Sequence, residues 1–293
     1  TLDRSSAASD VYKRQEQEYM PAIIYTTHAG PELGNAFADV ISGKYSPAGR
    51  LAQTWYKSEY ELAPIECYDI IENDMTYLYY RGKPLYPFGY GLSYAKFEYS
   101  DFDVKENGDV ISVSLDVTNV SETDSDEVVQ IYFRMENPSV KRPLRQLVAF
   151  ARERIECGRT RHFEFDIKKS ELRFYDVSRE RFAVEQGRYT FMAGASSEDI
   201  RLTKTIDVSG EIIPPRELCK GVKAKNYDGK YGTKMKYSKK LEQHYMLGGG
   251  LIYNNCVLGE ADSIEIVCGS RVNTGKITVR YGGETLCEAE VKP

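Results

Sequence analysis

The sequence is short of several residue types, and each shortage excludes a class of function. It has one tryptophan and three histidines in 293 residues, and its six cysteines are widely spaced without a Cys-x-x-Cys pair. We therefore predict no zinc site, and we expect scattered reduced thiols rather than a disulfide framework. No apolar run approaches the length needed to span a membrane. The net charge of −5, with dispersed basic residues, argues against nucleic acid as a partner.

What the sequence has in quantity is tyrosine. There are 23 tyrosines, within a chain that is 41% hydrophobic and 28% charged, which is typical of a globular protein of two or three domains. Tyrosines of this kind suit carbohydrate-binding surfaces and β-sandwich cores equally well.

Residues 85–94, Leu-Tyr-Pro-Phe-Gly-Tyr-Gly-Leu-Ser-Tyr, divide two different patterns. Pro87, Gly89 and Gly91 disfavour any regular helix or strand, whereas the aromatic residues favour burial. This composition predicts a rigid, packed connector.

Before the connector, the pattern indicates the end of an α/β unit. Residues 21–25 are an apolar run typical of a buried strand, and Pro31 then suits the first turn of a helix. The apolar residues from Leu33 to Ile41 follow at helical spacing, and Gly43 supplies a stop. The intervening loop would lie at the carboxyl end of the strand, where α/β sheets usually bind ligands.

After the connector, hydrophobicity alternates with a period of two. Short alternating strands separated by Gly, Asn and Pro turns predict an antiparallel β-sandwich. The alternating sets lie within residues 111–117, 129–133, 163–167, 189–193 and 202–208.

The connector resembles the junction motif of glycoside hydrolase family 3, between the α/β sandwich domain and the fibronectin type III-like domain of that family. Residues 34–40 and 46–51 resemble signatures near the end of the family's sandwich domain. Residues 127–132 and 194–197 fall where its fibronectin-like pattern expects them. The resemblance is to β-xylosidase and β-glucosidase members, and residues 53–56 and 76–80 are most similar to the β-xylosidase type.

Beyond a stiff linker, the sequence resembles the start of a family 6 carbohydrate-binding module. Residues 224–229, 248–250, 264–266 and 277–281 suggest this second all-β unit. Four tyrosines are its candidates for a glycan platform, with burial in the core as the equal alternative: Tyr227, Tyr231, Tyr245 and Tyr253. The family usually carries an acidic residue where Lys225 stands, which argues against its structural calcium, and no other cofactor is implied.

The predicted fold is therefore mainly β, in three parts. The parts are a partial α/β sandwich-domain remnant, a fibronectin type III-like antiparallel β-sandwich, and an incomplete jelly-roll-like β-sandwich. The predicted divisions are a translated sequence artefact at 1–15, the α/β part at 16–84, the connector and fibronectin-like domain at 85–210, the linker at 211–215 and the module at 216–293.

Glycoside hydrolysis needs two carboxylates flanking the scissile bond. The resemblance implies that both lie upstream, the nucleophile on an N-terminal barrel, so we assign no catalytic residue here. It implies the C-terminal part of a retaining hydrolase of terminal β-linked xylose or glucose, with a poly- or oligosaccharide and the missing barrel as partners. The alternative is a non-catalytic glycan-binding or adhesion protein of β-sandwich modules, and the sequence leaves the compartment open.

Three local sets carry weaker hypotheses. His28 and Glu32 are candidates for a sugar subsite, although Glu32 also suits the positive end of a helix dipole. The tyrosines at 77, 79 and 80 could stack on sugars, but packing between domains is favoured. The carboxylates at 69, 72 and 74 are interpreted as a solvated acidic face.

Overall fold

A computed structural model describes residues 20–26, 30–65, 67–232, 236–238, 243–245, 249–260, 263–266 and 274–291. The described part contains two α-helices, α1 (Leu33–Ile41) and α2 (Thr76–Tyr79). Its strands up to residue 208 are β1 (Phe97–Asn107), β2 (Val110–Asn119), β3 (Ser125–Met135), β4 (Gln146–Ile155), β5 (Thr160–Lys168), β6 (Phe174–Asp176), β7 (Arg181–Ala183), β8 (Gly187–Gly194) and β9 (Ile200–Val208).

The β-sandwich is present as predicted. One sheet has the order β1-β2-β5 and the other β4-β3-β8-β9, with antiparallel pairing throughout. The inward-facing side chains of β2 are almost completely buried because every second residue points between the sheets. The turn at residues 107–108 is also confirmed, with Gly108 at φ +64°. The alternation did not single out β1, β4 or the hairpin of β6 and β7.

Strand β3 is buried on both faces. Val129, Ile131 and Phe133 point into the sandwich core, and Gln130 and Tyr132 on the opposite face are also at most 3% exposed. The alternation in the sequence identified the core-facing residues, but it gave no sign that the outer face of this strand is buried as well. The connector lies against the outer face of this sheet, where Gln130 Nε2 donates to Gly89 O and Ser197 N donates to Phe88 O.

The predicted strand at residues 21–25 is wrong. These residues have no regular structure, and Ile23, Ile24 and Tyr25 are 40–50% exposed. A parallel strand depends on hydrogen bonds from neighbouring strands, and no described residue pairs with this segment as a strand. Helix α1 is confirmed, but none of its residues is fully buried, and Ile41 is 69% exposed.

The C-terminal part contains short strands in pairs. They are β10 (Arg216–Glu217), β11 (Gly229–Tyr231), β12 (Lys236–Ser238), β13 (Gln243–Tyr245), β14 (Gly250–Ile252), β15 (Cys256–Val257), β16 (Gly275–Tyr281) and β17 (Glu284–Val291). Residues 264–266, predicted as a strand, are irregular and exposed, whereas residues 277–281 lie in β16 as predicted. The chain divides into two compact units, residues 1–214 with 223–255, and residues 215–222 with 256–293.

Candidate functional site

The connector, residues 85–94, is fixed by backbone hydrogen bonds and by aromatic contacts with the residues before it. Its backbone runs beside residues 51–55: Leu51 N donates to Tyr90 O at 2.8 Å, and Gly89 N donates to Leu51 O at 2.7 Å. Trp55, 3% exposed, forms a bridge with Tyr86 and meets its ring edge-on at 5.7 Å. The segment lies between the α/β part and the sandwich, as the sequence predicted for a packed connector.

Gln130 on β3 fastens the connector to the sandwich. Its Nε2 donates to Gly89 O at 3.1 Å and to Ala195 O at 2.7 Å, while its Oε1 accepts from Tyr132 Oη at 2.5 Å. Beside it, Ser197 N of the sandwich donates to Phe88 O of the connector at 2.9 Å. A buried amide with three of its hydrogen-bonding positions used is costly to disturb, because any lost partner leaves a desolvated polar group.

A buried charge pair makes a second link between the two parts. Arg50 Nη2 lies 3.3 Å from Glu127 Oε1, and the two side chains are 10% and 3% exposed. Tyr99 Oη also donates to this Glu127 oxygen at 3.2 Å. Burial, followed by the nearby Glu127 charge, raises the pKa of Tyr99, so its hydroxyl stays protonated as a donor.

The two tyrosines of α2 and Tyr80, the residue after it, pack against other aromatic side chains or are buried. Tyr77 stacks on Phe88 with ring centroids 4.2 Å apart and also meets Tyr132 edge-on at 6.1 Å. Tyr79 is 7% exposed. Tyr80 contacts the ring of Tyr56 at 4.9 Å. This geometry favours packing over sugar stacking for all three.

Of the two subsite candidates, one lies in the described chain. His28 is outside the described residues. Glu32 is the residue before α1, and its Oε2 accepts a hydrogen bond from Asn35 Nδ2 at 2.5 Å. This arrangement fits the helix-terminal role, and the subsite role of both residues stays a prediction.

The acidic loop, residues 69–74, is more than a solvated face. Asp74 lies 2.6 Å from Lys141 Nζ, and Glu72 lies 2.5 Å from Lys230 Nζ. Asp69 accepts backbone hydrogen bonds from residues 71 and 72 through Oδ1 and lies 3.5 Å from Lys230 through Oδ2. Each of the three carboxylates therefore forms an ion pair with a lysine that is far from it in sequence, and the sequence did not predict these pairs.

The four platform tyrosines lie in different environments. Tyr231 is 62% exposed, Tyr227 and Tyr253 are half-buried, and only the backbone of Tyr245, in β13, is described. Tyr253 Oη donates to Ala224 O at 3.0 Å. Tyr231 is opposite Gly250 in the β11–β14 pair, and a β-carbon at Gly250 would lie 2.4 Å from its ring. The ring therefore rests against a glycine and leaves surface open to solvent.

The described residues contain no group of three or more His, Cys, Asp or Glu that could hold a metal ion. Lys225, at the position that argued against calcium, lies 3.7 Å from Glu180. Cys67, Cys157, Cys219 and Cys287 are free cysteines in the structure. None of the described helices is long and apolar enough to cross a membrane.

Comparison with known families assigns two domains in the predicted order. Residues 5–94 match the glycosyl hydrolase family 3 C-terminal domain, and residues 127–197 match the fibronectin type III-like domain. The chain carries these two domains. The first match begins within residues 1–15, and the interpretation of that stretch as an artefact stays a prediction.

Named relatives agree with the domain assignment. The chain is 34% identical to a xylan 1,4-beta-xylosidase of Xylanibacter ruminicola, over 68% of this chain and 23% of the relative. It is 35% identical to thermostable beta-glucosidase B of Acetivibrio thermocellus, over 62% of this chain and 26% of the relative. The chain thus spans about a quarter of the length of these relatives.

Solved structures resemble the same region. A beta-glucosidase from Kluyveromyces marxianus in complex with glucose superposes with a TM-score of 0.57 at 32% identity, covering 60% of this chain and 23% of that one. A beta-D-glucoside glucohydrolase from Trichoderma reesei gives a TM-score of 0.56 at 29% identity, covering 61% and 29%.

Proposed function

We propose that this chain is the C-terminal part of a retaining glycoside hydrolase that removes terminal β-linked xylose or glucose during polysaccharide breakdown. The observation that carries the proposal is the junction: a family 3 C-terminal domain fastened to a fibronectin-like domain by Gln130 and by the Arg50–Glu127 pair. An adhesion protein made only of β-sandwich modules would have no use for this junction. The nucleophile and the acid/base belong to residues upstream of those matched here.

The role of the chain in that enzyme is support. The connector and its two polar links fix how the fibronectin-like domain is held against the α/β part. Catalytic groups must be held to within well under 1 Å of their productive positions. A rigid frame behind the catalytic domains therefore contributes indirectly to the reaction.

The activity test uses the chain itself and its contiguous upstream reading frame. We expect the purified chain to release no phenol above buffer from aryl β-xyloside or β-glucoside, and the extended chain to release it. Turnover by the chain alone that survived further purification would overturn the assignment, and Glu32, Asp69, Glu72 and Asp74 would then be mutated first. An upstream frame without a barrel would favour the adhesion function.

A second candidate function is glycan retention by a family 6-like module. It is favoured by Tyr231, whose ring rests on Gly250 and is 62% exposed, since pyranose faces stack on aromatic rings of this kind.

Affinity electrophoresis in gels containing soluble xylan or β-glucan tests this retention. We expect the chain to be retarded, and Tyr231→Ala to abolish most of the retardation. Tyr60→Ala removes another tyrosine, 91% exposed, and is the matched control. Equal migration of the chain and Tyr231→Ala in both gels would exclude the platform.

A further inference from the structure

The acidic loop has a cationic counterpart late in the chain. Residues 223–231, here called the strap, come after β10 and end in β11. The strap contacts two places that are far apart in sequence, Glu180 in the β6–β7 turn and the acidic loop.

At its first end, the strap surrounds one carboxylate. Lys223 Nζ lies 2.9 and 3.0 Å from the two oxygens of Glu180, and Asn226 Nδ2 donates to the same group at 3.2 Å. Lys223 is 64% exposed, so this end is open to solvent and contributes little by itself.

At its second end, the strap inserts Lys230 into the acidic loop. The Lys230 side chain is 11% exposed, and its ammonium lies 2.5 Å from Glu72, 3.5 Å from Asp69 and 3.4 Å from Tyr227 Oη. The ammonium also lies 5.5 Å from the Tyr227 ring centroid. An ammonium with three donors and this many acceptors is close to saturated. Burial lowers the pKa of Lys230, but the hydrogen bonds to Glu72 and Tyr227 and the charges of these two groups together outweigh it, so the net pKa is raised.

The strap and the acidic loop are each fixed by further contacts with the rest of the chain. On the strap side, Asp228 N donates to Ile252 O at 2.8 Å, and Asn254 N donates to Asp228 Oδ2 at 2.6 Å. On the loop side, Asp74 is paired with Lys141 of the sandwich. Two lysines from different parts of the chain therefore hold one loop between them.

We propose that the acidic loop is an interaction surface for the strap, and that Lys230 locks the loop in its observed conformation. Because Lys230 joins the two segments, local unfolding of the acidic loop and detachment of the strap occur together. This inference goes beyond the proposed function and does not depend on it, because it concerns contacts within this chain alone.

Limited proteolysis with chymotrypsin tests the lock. Tyr68, next to the loop, is 85% exposed and offers a cleavage site. Because cleavage needs local opening, we expect Lys230→Met to increase the cleavage rate at Tyr68 roughly fivefold. Lys44→Met removes another ion-paired lysine, 2.9 Å from Asp39, and should leave the rate unchanged. Equal rates for Lys230→Met and the unaltered chain would overturn the proposal.

A second variant approaches the contact from the loop. Glu72→Gln should also accelerate cleavage at Tyr68, and it carries the test if Lys230→Met does not fold. In the double variant we expect a rate close to that of Lys230→Met alone, because both substitutions break the same pair. Fully multiplicative effects would show that the two residues act separately and would contradict the lock.

Discussion

Gly89 cannot carry a side chain for two reasons, its backbone conformation and the packing around it. Its φ is +79°, and a β-carbon would lie 2.0 Å from Gln130 Oε1. Gln130 cannot move away without giving up its hydrogen bonds to the connector and to Ala195. The glycine in the connector is thus required by its neighbour as much as by its own backbone.

We predict that Gly89→Ala destabilises the chain more than a positive φ alone explains. Gly43→Ala is the matched control, since Gly43 has φ +75° with nothing within 4 Å of its β-carbon position. The control should cost about 1–2 kcal/mol and Gly89→Ala about 1–3 kcal/mol more, from the added overpacking. Urea unfolding followed by tyrosine fluorescence measures both, and equal losses would show that Gln130 adapts to the β-carbon.

At the scale of single residues, the sequence was most informative where the surroundings of a side chain depend on residues close to it in sequence. It indicated that Glu32 suits a helix terminus and that the tyrosines of α2 pack. It could not show that Tyr231 is exposed, because the exposure depends on the pairing of β11 with β14.

Among the elements, the hairpin of β6 and β7 is tied to the segment after β9. Glu211 Oε2 lies 2.8 Å from Arg179 Nη1, and its Oε1 lies 2.8 Å from Arg181 Nη1. Its backbone N also donates to Val184 O at 2.8 Å. Hydrogen bonds from Arg181 and then from Arg179 lower the pKa of Glu211 to about 2.

This depressed pKa predicts a pH-dependent contribution to stability. A carboxylate whose folded pKa lies below its unfolded value of 4.5 stabilises the fold above that value and loses the effect as pH falls toward 2. We expect Glu211→Gln to lower Tm at pH 7, with the difference from the unaltered chain vanishing between pH 4.5 and 2. The effect should be small, and smaller in high salt, because the pair is exposed.

Calorimetry across this pH range measures the difference, with Glu98→Gln on β1 as a control glutamate. A Tm difference that stayed constant down to pH 2 would mean that Glu211 acts through packing rather than through its charge.

Strand β3 was predicted correctly, but the sequence indicated the burial of only one of its two faces. Its core-facing residues were found from their alternation, but the burial of Gln130 and Tyr132 reflects the connector lying over the outer face. The apolar run at 21–25 shows the converse: its sequence is typical of a strand, but it has no regular structure, and among the described residues no strand pairs with it.

The two compact units of the molecule differ in how much core each contains. In the larger unit, β3 and β8 contribute Ile131, Tyr189 and Phe191, all fully buried. In the smaller unit, the β16–β17 pair is a two-stranded sheet with nearly all of its side chains exposed. A two-stranded sheet that is not packed against other elements is marginally stable in water.

We therefore predict a steep gradient of amide protection along the chain. Hydrogen exchange followed by mass spectrometry should give peptides of β16 and β17 exchange rates about a hundredfold or more above those of β3 and β8. Comparable protection in both would mean that the smaller unit has a core that its side-chain exposure does not reveal.

The sequence by itself determined the class of the fold, the helix at 33–41, five strands of the sandwich and the connector. These features depend on local periodicity and on Gly and Pro, which act within a few residues. Tertiary structure decided the pairing of Lys230 with the acidic loop, the exposure of Tyr231 and the burial of Gln130. Each of these depends on residues far apart in sequence meeting in space, and no local pattern records such a meeting.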